Sequence, residues 1–222
     1  MKSAKVFNDS FQHKGMRRKL IETLREKGIT DEKVLEAMNA IPRHFFLDSA
    51  FDKIAYEDQA FPIGADQTIS HPYTVAYQTQ LLQVKRGEKI LEIGTGSIYQ
   101  TTILAEMGAQ MVYTIERQKK LTDLQENYYF KNKYLNIKFF YRDGFLGLPT
   151  YAPFDKILIT AAAPFIPPKL VEQLKPGGLM VLPVDEGENQ RMIRITKAMD
   201  GSIQEETFDA FSFVPMLGGK NI

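Results

Sequence analysis

Between residues 72 and 184 the chain alternates strand-like apolar runs with stretches of helical apolar spacing, and this alternation constrains the fold more than any other feature. Short strands separated by helices indicate parallel pairing, because a helical crossover returns the chain to the same edge of a sheet. Apolar residues make up 44% of the chain, enough to cover both faces of such a sheet. The predicted strands are 88–93, 110–116, 137–141, 154–160 and 177–184, and the predicted helices are 72–83, 99–107, 118–130 and 167–174.

Residues 1–71 predict a helical and loop cap in front of this core. Apolar residues recur at helical spacing over 16–27, and Gly28 follows as a C-cap. A second helix is predicted after Thr30, with acidic residues in its first turn. Proline and glycine interrupt residues 41–72, so we expect turns and short pieces there.

Residues 185–222 predict a pair of antiparallel strands, because two strand-like runs without a helix between them flank the hairpin signal Asp200-Gly201. The predicted fold class is therefore α/β: a Rossmann-like, doubly wound, mostly parallel sheet with antiparallel C-terminal strands and an N-terminal helical extension. We expect a single domain over 1–222, with a cofactor-binding α/β core at 72–184.

Charge and composition argue against several function classes. The 28 basic and 27 acidic residues leave a formal charge of +1, which favours neither nucleic acid nor an anionic membrane. No segment has the apolar length of a signal peptide or a membrane span, so we expect a cytoplasmic protein. We also expect it to act as a monomer. Without cysteine, and with only the scattered His13, His44 and His71, we predict no metal site.

The stretch "ILEIGTGSIYQ" passes from a predicted strand into a Gly-x-Gly turn at Gly94 and Gly96. Glycine lets the backbone turn sharply and approach a ligand, and the helix start that follows offers free N–H groups. A lone Gly-x-Gly is equally compatible with a tight strand-to-helix turn. The turn follows a core strand, and doubly wound sheets bind ligands at the carboxyl ends of their strands.

Two further carboxylates favour a nucleoside ligand. Glu116 ends the next predicted strand, 22 residues after Gly94, where it can accept hydrogen bonds from ribose hydroxyls. The alternative for Glu116 is that it only caps a helix start. Asp143 follows the third core strand and can accept from an adenine amino group, although Asp-Gly is also a common turn.

The loop is unsuited to a cofactor that carries phosphate. Tyr99 stands where a pyrophosphate fingerprint has its third glycine, and the chain has no Gly-Lys-Ser/Thr motif. Glu92, two residues before Gly94, is expected to repel the phosphates of a dinucleotide. An adenosine cofactor with positive charge instead of phosphate fits better, and S-adenosylmethionine carries a sulfonium and an ammonium group.

Several motifs together resemble the protein-L-isoaspartate O-methyltransferase family. They are "FPIGADQTISHPYTVAYQTQLL", "ILEIGTGSIYQTTILAEMG", "VYTIER", "RDGFLGLPTYAPFDKILITAAAP", "QLKPGGLMVLPV" and "FSFVPM", and the resemblance covers roughly residues 16–217. It implies a Rossmann-type enzyme that methylates the α-carboxylate of isoaspartyl residues in damaged proteins and peptides, with S-adenosylmethionine as methyl donor. The ester then collapses to a succinimide, from which aspartate can re-form.

The resemblance also implies roles for particular residues. Ser70, in "QTIS", corresponds to the proposed catalytic serine, and we assign Thr68, Ser70 and His71 to substrate binding. The implied cofactor-binding residues are Thr68, Glu92, Gly94, Thr95, Gly96, Ser97, Glu116, Arg117, Asp143 and Gly144. An α-carboxylate is an anion at neutral pH, because its pKa is about 3.5, so it needs no general base. Methyl transfer then depends on alignment, and Ser70 needs only to donate a hydrogen bond.

Simpler interpretations compete with these roles. Ser70 precedes Pro72 at a helix start and can be an N-cap, while His71 can be an exposed loop histidine. Ile98 stands where the family usually has glycine; a β-branched residue is expected to exclude a positive φ and to add bulk beside the cofactor, or else to pack into the helix start. The first 15 residues have no obvious counterpart in the family.

Three other functions therefore compete with the one that the resemblance implies. The first is a related methyltransferase with another acceptor. The second is a non-catalytic binding protein that lost cofactor affinity through Ile98. The third, a dinucleotide oxidoreductase, is disfavoured by Tyr99 and Glu92.

Overall fold

The structure of the chain, a computed structural model, describes residues 7–187 and 189–221; at residues 124 and 127 it describes the backbone only. The strands are β1 (Phe61–Gly64), β2 (Gln67–Ile69), β3 (Lys89–Ile93), β4 (Met111–Glu116), β5 (Ile137–Tyr141), β6 (Phe154–Ile159), β7 (Leu174–Asp185), β8 (Gln190–Lys197) and β9 (Ile203–Phe211). The α-helices are α1 (Phe11–Glu26), α2 (Glu32–Ala40), α3 (Pro72–Leu82), α4 (Tyr99–Glu106), α5 (Lys119–Thr122) and α6 (Pro168–Gln173). No helix in these ranges combines the length and the apolar content that a bilayer crossing requires.

Seven strands form one sheet in the order β5-β4-β3-β6-β7-β8-β9. Strands β3 to β7 pair in parallel, whereas β7, β8 and β9 pair antiparallel. The predicted fold class is confirmed. From β3 the chain moves outward to β4 and β5 and then crosses back to β6 on the other side of β3. Such a reversal opens a crevice at the carboxyl ends of the strands, where doubly wound sheets bind ligands.

Side chains of the parallel strands are buried on both faces of the sheet. Ile90, Val112 and Leu158 belong to one core cluster, with residues of α1 to α4. Leu91 and Tyr113 belong to the other cluster, with residues of α6. This alternation follows from the two-residue period of a strand, and burial on both faces explains why the strands appear as apolar runs in the sequence.

Helix α1 begins at Phe11, five residues before the predicted start. The hydroxyl of Ser10 accepts a hydrogen bond from the backbone N–H of His13, and the His13 ring accepts one from the Ser10 N–H. This reciprocal cap uses histidine where the usual pattern has Glu or Gln, which is why apolar spacing over 16–27 missed it. Gly28 follows the helix with φ +93°, as its predicted C-cap role requires.

The segment before α1 is attached to the body of the protein. Arg17 donates to both carboxylate oxygens of Asp9 at 3.0 Å, and also to the carbonyl of Asn39 and the hydroxyl of Tyr56. These hydrogen bonds attach residues 7–15, the described part of the predicted N-terminal addition, to the rest of the protein. Residues 1–6 lie outside the described residues.

A β-hairpin lies where the sequence predicted only turns and short pieces. Strands β1 and β2 pair antiparallel around Ala65 and Asp66, whose φ values are +52° and +54°. Two consecutive positive φ values match the right-handed twist of a hairpin. Asp66 is a common residue for such a turn, but Ala65 is not, so turn chemistry did not indicate the hairpin.

The predicted helix over 118–130 is wrong beyond its first turn. Helix α5 ends at Thr122, and a 3₁₀ segment follows over Asp123–Asn127. Tyr128 is extended, and its buried hydroxyl lies 2.8 Å from the hydroxyl of Thr102. Burial of this tyrosine ring against α4 therefore outweighs the helical propensity of the residues before it.

Ile98 adopts the left-handed conformation, with φ +72° and ψ −1°, so the expectation that a β-branched residue excludes it is wrong. Its side chain is only 2% exposed and belongs to the core cluster with α1 to α4. The Ile98 N–H donates to Thr95, and its carbonyl accepts from the N–H and the hydroxyl of Thr102. Burial of an isoleucine, worth about 1.5–3 kcal/mol, offsets a left-handed strain of about 1–2 kcal/mol.

We expect Ile98→Ala to be less stable than Ile98→Gly by about 1 kcal/mol, because alanine loses the packing but keeps the strain, whereas glycine relieves the strain. Equilibrium urea unfolding of both variants and the unaltered protein measures this difference. Both variants should be less stable than the unaltered protein, since the buried side chain is lost. Equal stability of the two variants would contradict the strained conformation of Ile98.

Candidate active site

A cavity of about 450 Å³ lies at the carboxyl ends of β3, β4 and β6. That volume falls within the usual range for a small-molecule site. Most of the predicted site residues line it: Thr68, Ser70, Gly94, Thr95, Gly96, Ser97, Glu116, Arg117 and Gly144. The fold thus brings residues from four separate stretches of sequence to one place, at the reversal of the strand order.

The glycine loop after β3 is held by both neighbouring strands. The N–H groups of Gly94 and Thr95 donate to the carbonyl of Ile115 in β4. Beyond β6, the hydroxyl of Thr160 lies 3.0 Å from the carbonyl of Ile93 and 2.9 Å from that of Gly94. Gly94 has φ +101°, and a Cβ there would overlap the Thr160 hydroxyl, so this position requires glycine.

Glu116 presents a fixed carboxylate to the cavity. Its Oε1 accepts from the backbone N–H groups of Arg117 and Gln118 at 2.8 Å, and its Oε2 accepts from that of Gly96 at 2.9 Å. A carboxylate oxygen accepts about two hydrogen bonds, so Oε2 retains one lone pair for a further donor. This arrangement suits a ribose hydroxyl and goes beyond the alternative in which Glu116 only caps a helix start.

Glu92 does not line the cavity, contrary to the expectation from its position before the glycines. Its side chain is fully buried on the α4 side of the sheet, and Oε2 accepts from the hydroxyls of Thr101 and Thr114. Burial raises the pKa of Glu92 to about 7, against the opposing effect of these two hydrogen bonds. The argument that Glu92 repels dinucleotide phosphates therefore fails, because the carboxyl lies behind the loop.

Asp143 and His71 also lie outside the cavity wall. The carboxylate of Asp143 accepts from the N–H of Phe145 at 2.9 Å and from that of Gly219 at 2.7 Å. It therefore anchors the C-terminal segment beside Gly144, which does line the cavity. The side chain of His71 is exposed, as the simpler interpretation of this residue expects.

Ser70 is held from behind by a buried arginine. The Nη2 of Arg43 donates to the main-chain carbonyl of Ser70 at 2.8 Å, and the guanidinium lies over the ring of Tyr99, 5.2 Å from its centroid. Burial lowers the pKa of Arg43 to about 10, which leaves it charged at neutral pH. The interpretation of Ser70 as a helix cap is wrong: His71 is the N-cap of α3, and the first-turn N–H of Tyr73 donates to the carboxylate of Asp58 at 2.8 Å.

The sequence reasoning did not single out part of the cavity wall. Thr160 and residues 214–217 line it, and the C-terminal segment is attached through Ala162. The N–H of Ala162 donates to the carbonyl of Val214, and the N–H of Met216 donates to that of Ala162. No spacing rule links such distant segments; only the motif "FSFVPM", noted for its resemblance, pointed to this region.

Two of the three histidines are not scattered, contrary to expectation. The rings of His13 and His44 stack with centroids 3.8 Å apart, and with Asp9 they bring potential metal ligands within 4.8 Å of one another. Asp9, however, pairs with Arg17, and the Nδ1 of His44 lies 2.8 Å from the Tyr56 hydroxyl. Packing of the N-terminal segment accounts for this cluster, which lies outside the cavity.

The fold and the cavity together define a class, that of Rossmann-like α/β methyltransferases, in which a glycine loop and an acidic strand end meet at the switch point of the sheet. The family model described as Protein-L-isoaspartate(D-aspartate) O-methyltransferase matches residues 15–221. The chain belongs to this family.

Individual relatives agree with this assignment. A protein-L-isoaspartate O-methyltransferase from Cytophaga hutchinsonii is 52% identical over 95% of this chain and 94% of its own length. One from Christiangramia forsetii is 49% identical over 96% of this chain and 99% of its own length. Among solved structures, one from Plasmodium falciparum is described as a protein-L-isoaspartate O-methyltransferase in complex with S-adenosyl-L-homocysteine. It superposes on this chain with a TM-score of 0.78 and is 26% identical in sequence, and the match covers 92% of this chain and 98% of the solved one.

The close approach of Gly94 and Thr160 gives a testable prediction. We expect Gly94→Ala to lower the free energy of unfolding by about 2 kcal/mol or more, because the added methyl is strained at φ +101° and overlaps the threonine hydroxyl. Thr160→Ala should cost about 1 kcal/mol through lost hydrogen bonds.

The double variant should lose less stability than the sum of the single variants, by about 1 kcal/mol, because alanine at 160 leaves space for the new methyl. Chemical denaturation of the four proteins completes the cycle. Strict additivity would show that the two side chains do not compete for this space.

Proposed function

We propose that this chain transfers a methyl group from S-adenosylmethionine to the α-carboxylate of L-isoaspartyl residues in damaged proteins and peptides. The cavity that joins the glycine loop and Glu116 to Thr68 and Ser70 carries this proposal. The curated relatives named for this activity span nearly the whole chain, and one solved relative holds the product form of the cofactor.

The residues present fit an adenosine cofactor without phosphate. Glu116 offers one free lone pair in an otherwise satisfied carboxylate, which suits a ribose hydroxyl. Gly94, Thr95, Gly96 and Ser97 form the wall that the methionine part would contact. When bound, S-adenosylmethionine supplies an activated methyl group on a sulfonium.

The chain itself binds and orients the acceptor. Thr68 and Ser70 line the cavity, and a hydroxyl can donate to a carboxylate oxygen without removing its charge. Arg43 fixes the main chain that carries the Ser70 side chain before substrate arrives. Because the acceptor is already an anion, a site without a histidine or cysteine base is sufficient.

The non-catalytic alternative loses its basis in this geometry. Ile98 points into the core rather than lining the cavity, so it adds no bulk where the cofactor would lie. We therefore favour an active enzyme, with retained cofactor affinity. We also propose that the chain acts as a single cytoplasmic domain and as a monomer; its formal charge of +1 speaks against a nucleic-acid partner.

The proposed activity can be tested with methyl-labelled S-adenosylmethionine and a matched pair of isoaspartyl and aspartyl peptides. We expect a base-labile methyl ester on the isoaspartyl peptide only. Equal labelling of both peptides would indicate a less selective carboxyl methyltransferase, and labelling of neither would contradict the proposal.

Ser70→Ala should lower turnover of the isoaspartyl peptide about ten- to hundredfold, because it removes a hydrogen bond to a charged group. Circular dichroism should remain unchanged, since α3 is not capped by this hydroxyl. Ser202→Ala, at an exposed turn, is the matched control and should leave turnover unaltered. Unaltered turnover in the Ser70 variant would remove Ser70 from the reaction.

A further inference from the structure

A buried carboxyl is connected to the cavity by a chain of hydroxyl groups. We propose that Glu92 is a positioning residue that acts through Thr114 and sets the direction in which the hydroxyl of Thr95 donates. As a consequence, a cationic cofactor that binds at Thr95 drives a proton off Glu92. This inference rests on the proposed function, because it takes the cofactor to be S-adenosylmethionine.

Three short contacts form the connection. Glu92 and Thr114 are paired neighbours in β3 and β4, and the Thr114 hydroxyl donates to Glu92 Oε2 at 2.6 Å. The Thr101 hydroxyl, from α4, donates to the same oxygen at 2.5 Å. The hydroxyls of Thr114 and Thr95 lie 2.7 Å apart, and Thr95 lines the cavity.

A hydroxyl carries one hydrogen, so these contacts determine each other's direction. When Glu92 is ionised, Thr114 donates to it and has no hydrogen left. The hydroxyl of Thr95 must then donate to Thr114, which leaves Thr95 with only lone pairs for any other partner. An ammonium group can only donate hydrogen bonds, so this state of Thr95 suits the methionine part of the cofactor.

Protonation of Glu92 allows the opposite direction. Among the described residues, Oε1 of Glu92 has no hydrogen-bond partner, so a proton finds an acceptor only on the Oε2 side. Thr114 can then accept from Glu92 and donate to Thr95. Thr95 in turn directs its own hydrogen elsewhere, which disfavours a cationic donor in the cavity.

The surroundings of Glu92 allow it to change charge near neutral pH. Burial raises its pKa to about 7, and the neighbouring charge of Glu116 in β4 acts in the same direction. Tyr128, which packs against α4, is uncharged at neutral pH, since the ordinary pKa of tyrosine is about 10 and burial raises it further. On the other side of β3, the residue of β6 that pairs with Glu92 is the apolar Leu158. Among the described residues, Thr101 and Thr114 therefore supply the polar contacts of the Glu92 carboxyl.

The two forms of the cofactor differ in charge. S-adenosylmethionine carries a sulfonium, an ammonium and a carboxylate, whereas S-adenosylhomocysteine lacks the sulfonium and is neutral overall. Both would offer an ammonium as a donor to Thr95, but only the methyl donor would add net positive charge near Glu92. We therefore expect proton release with both ligands, and more of it with S-adenosylmethionine.

Isothermal titration calorimetry measures this release when binding at pH 7 is repeated in buffers of different ionisation enthalpy. The affinity for S-adenosylmethionine should rise about tenfold between pH 5.5 and 7.5, because ionised Glu92 is the form that favours binding. Glu92→Gln keeps the size and the acceptor oxygen but cannot ionise. The affinity of this variant for S-adenosylmethionine should change less than about twofold over this pH range, and binding should release no proton from position 92. Any proton release that comes from the ligand itself is common to both proteins and cancels in their difference.

Further variants distinguish the hydrogen-bond connection from Glu92 through Thr114 to Thr95 from a general effect of mutation. Thr114→Val keeps the carboxyl but cuts its connection to Thr95, and should lose most of the pH dependence of affinity. Thr101→Val removes a donor to Glu92 and should shift the pH profile upward. Thr102→Val, which deletes a neighbouring buried hydroxyl without contact to Glu92, is the matched control and should keep the wild-type profile.

A flat wild-type pH profile, equal proton release in Glu92→Gln, or a wild-type profile in Thr114→Val would each overturn the proposal. Carbon-13 NMR of labelled glutamate carboxyls in the free protein gives a readout without cofactor. A resonance that is absent in Glu92→Gln should titrate near pH 7 and move upward in Thr101→Val, whereas a midpoint below about 5 would overturn the proposal. Failure of the wild type to bind any S-adenosyl ligand would instead contradict the proposed function, while the NMR titration still decides the ionisation of Glu92.

Discussion

The hydrogen bonds that hold the glycine loop between two neighbouring strands are the interaction on which the site depends. Gly94 donates to Ile115 from one side and lies against Thr160 on the other, while Gly96 donates to Glu116. These partners belong to β4 and to the end of β6, which flank β3 only because the strand order reverses there. The topology of the sheet therefore shapes the loop, and the loop shapes the cavity.

Buried polar groups behind the cavity complete this arrangement. Arg43 holds the main chain of Ser70, and Glu92 is linked through Thr114 to Thr95. Neither Arg43 nor Glu92 lines the cavity, yet each is connected by hydrogen bonds to a residue that does. Such preorganisation suits methyl transfer to an anion, which needs alignment more than proton transfer.

Predictions from the sequence were correct where a local residue pattern determines the secondary structure. The core strands were predicted close to their observed bounds because burial on both faces produces continuous apolar runs. They failed where packing between distant segments decides the outcome: burial of Tyr128 ends the helix after Thr122, and His13 and His44 stack although they lie 31 positions apart in the sequence. Ile98 is a similar case, since its left-handed backbone is stabilised by the core around its side chain.

By itself the sequence determined the fold class, the family, and the position of the loop and of Glu116, because strand periodicity and motif spacing are local properties of the chain. Only the tertiary structure decided which carboxylates face the cavity. Glu116 does, whereas Glu92 and Asp143 are turned toward partners on other elements. The physical reason is that a buried carboxylate must be hydrogen-bonded, and its donors come from residues that only the folded chain brings within reach.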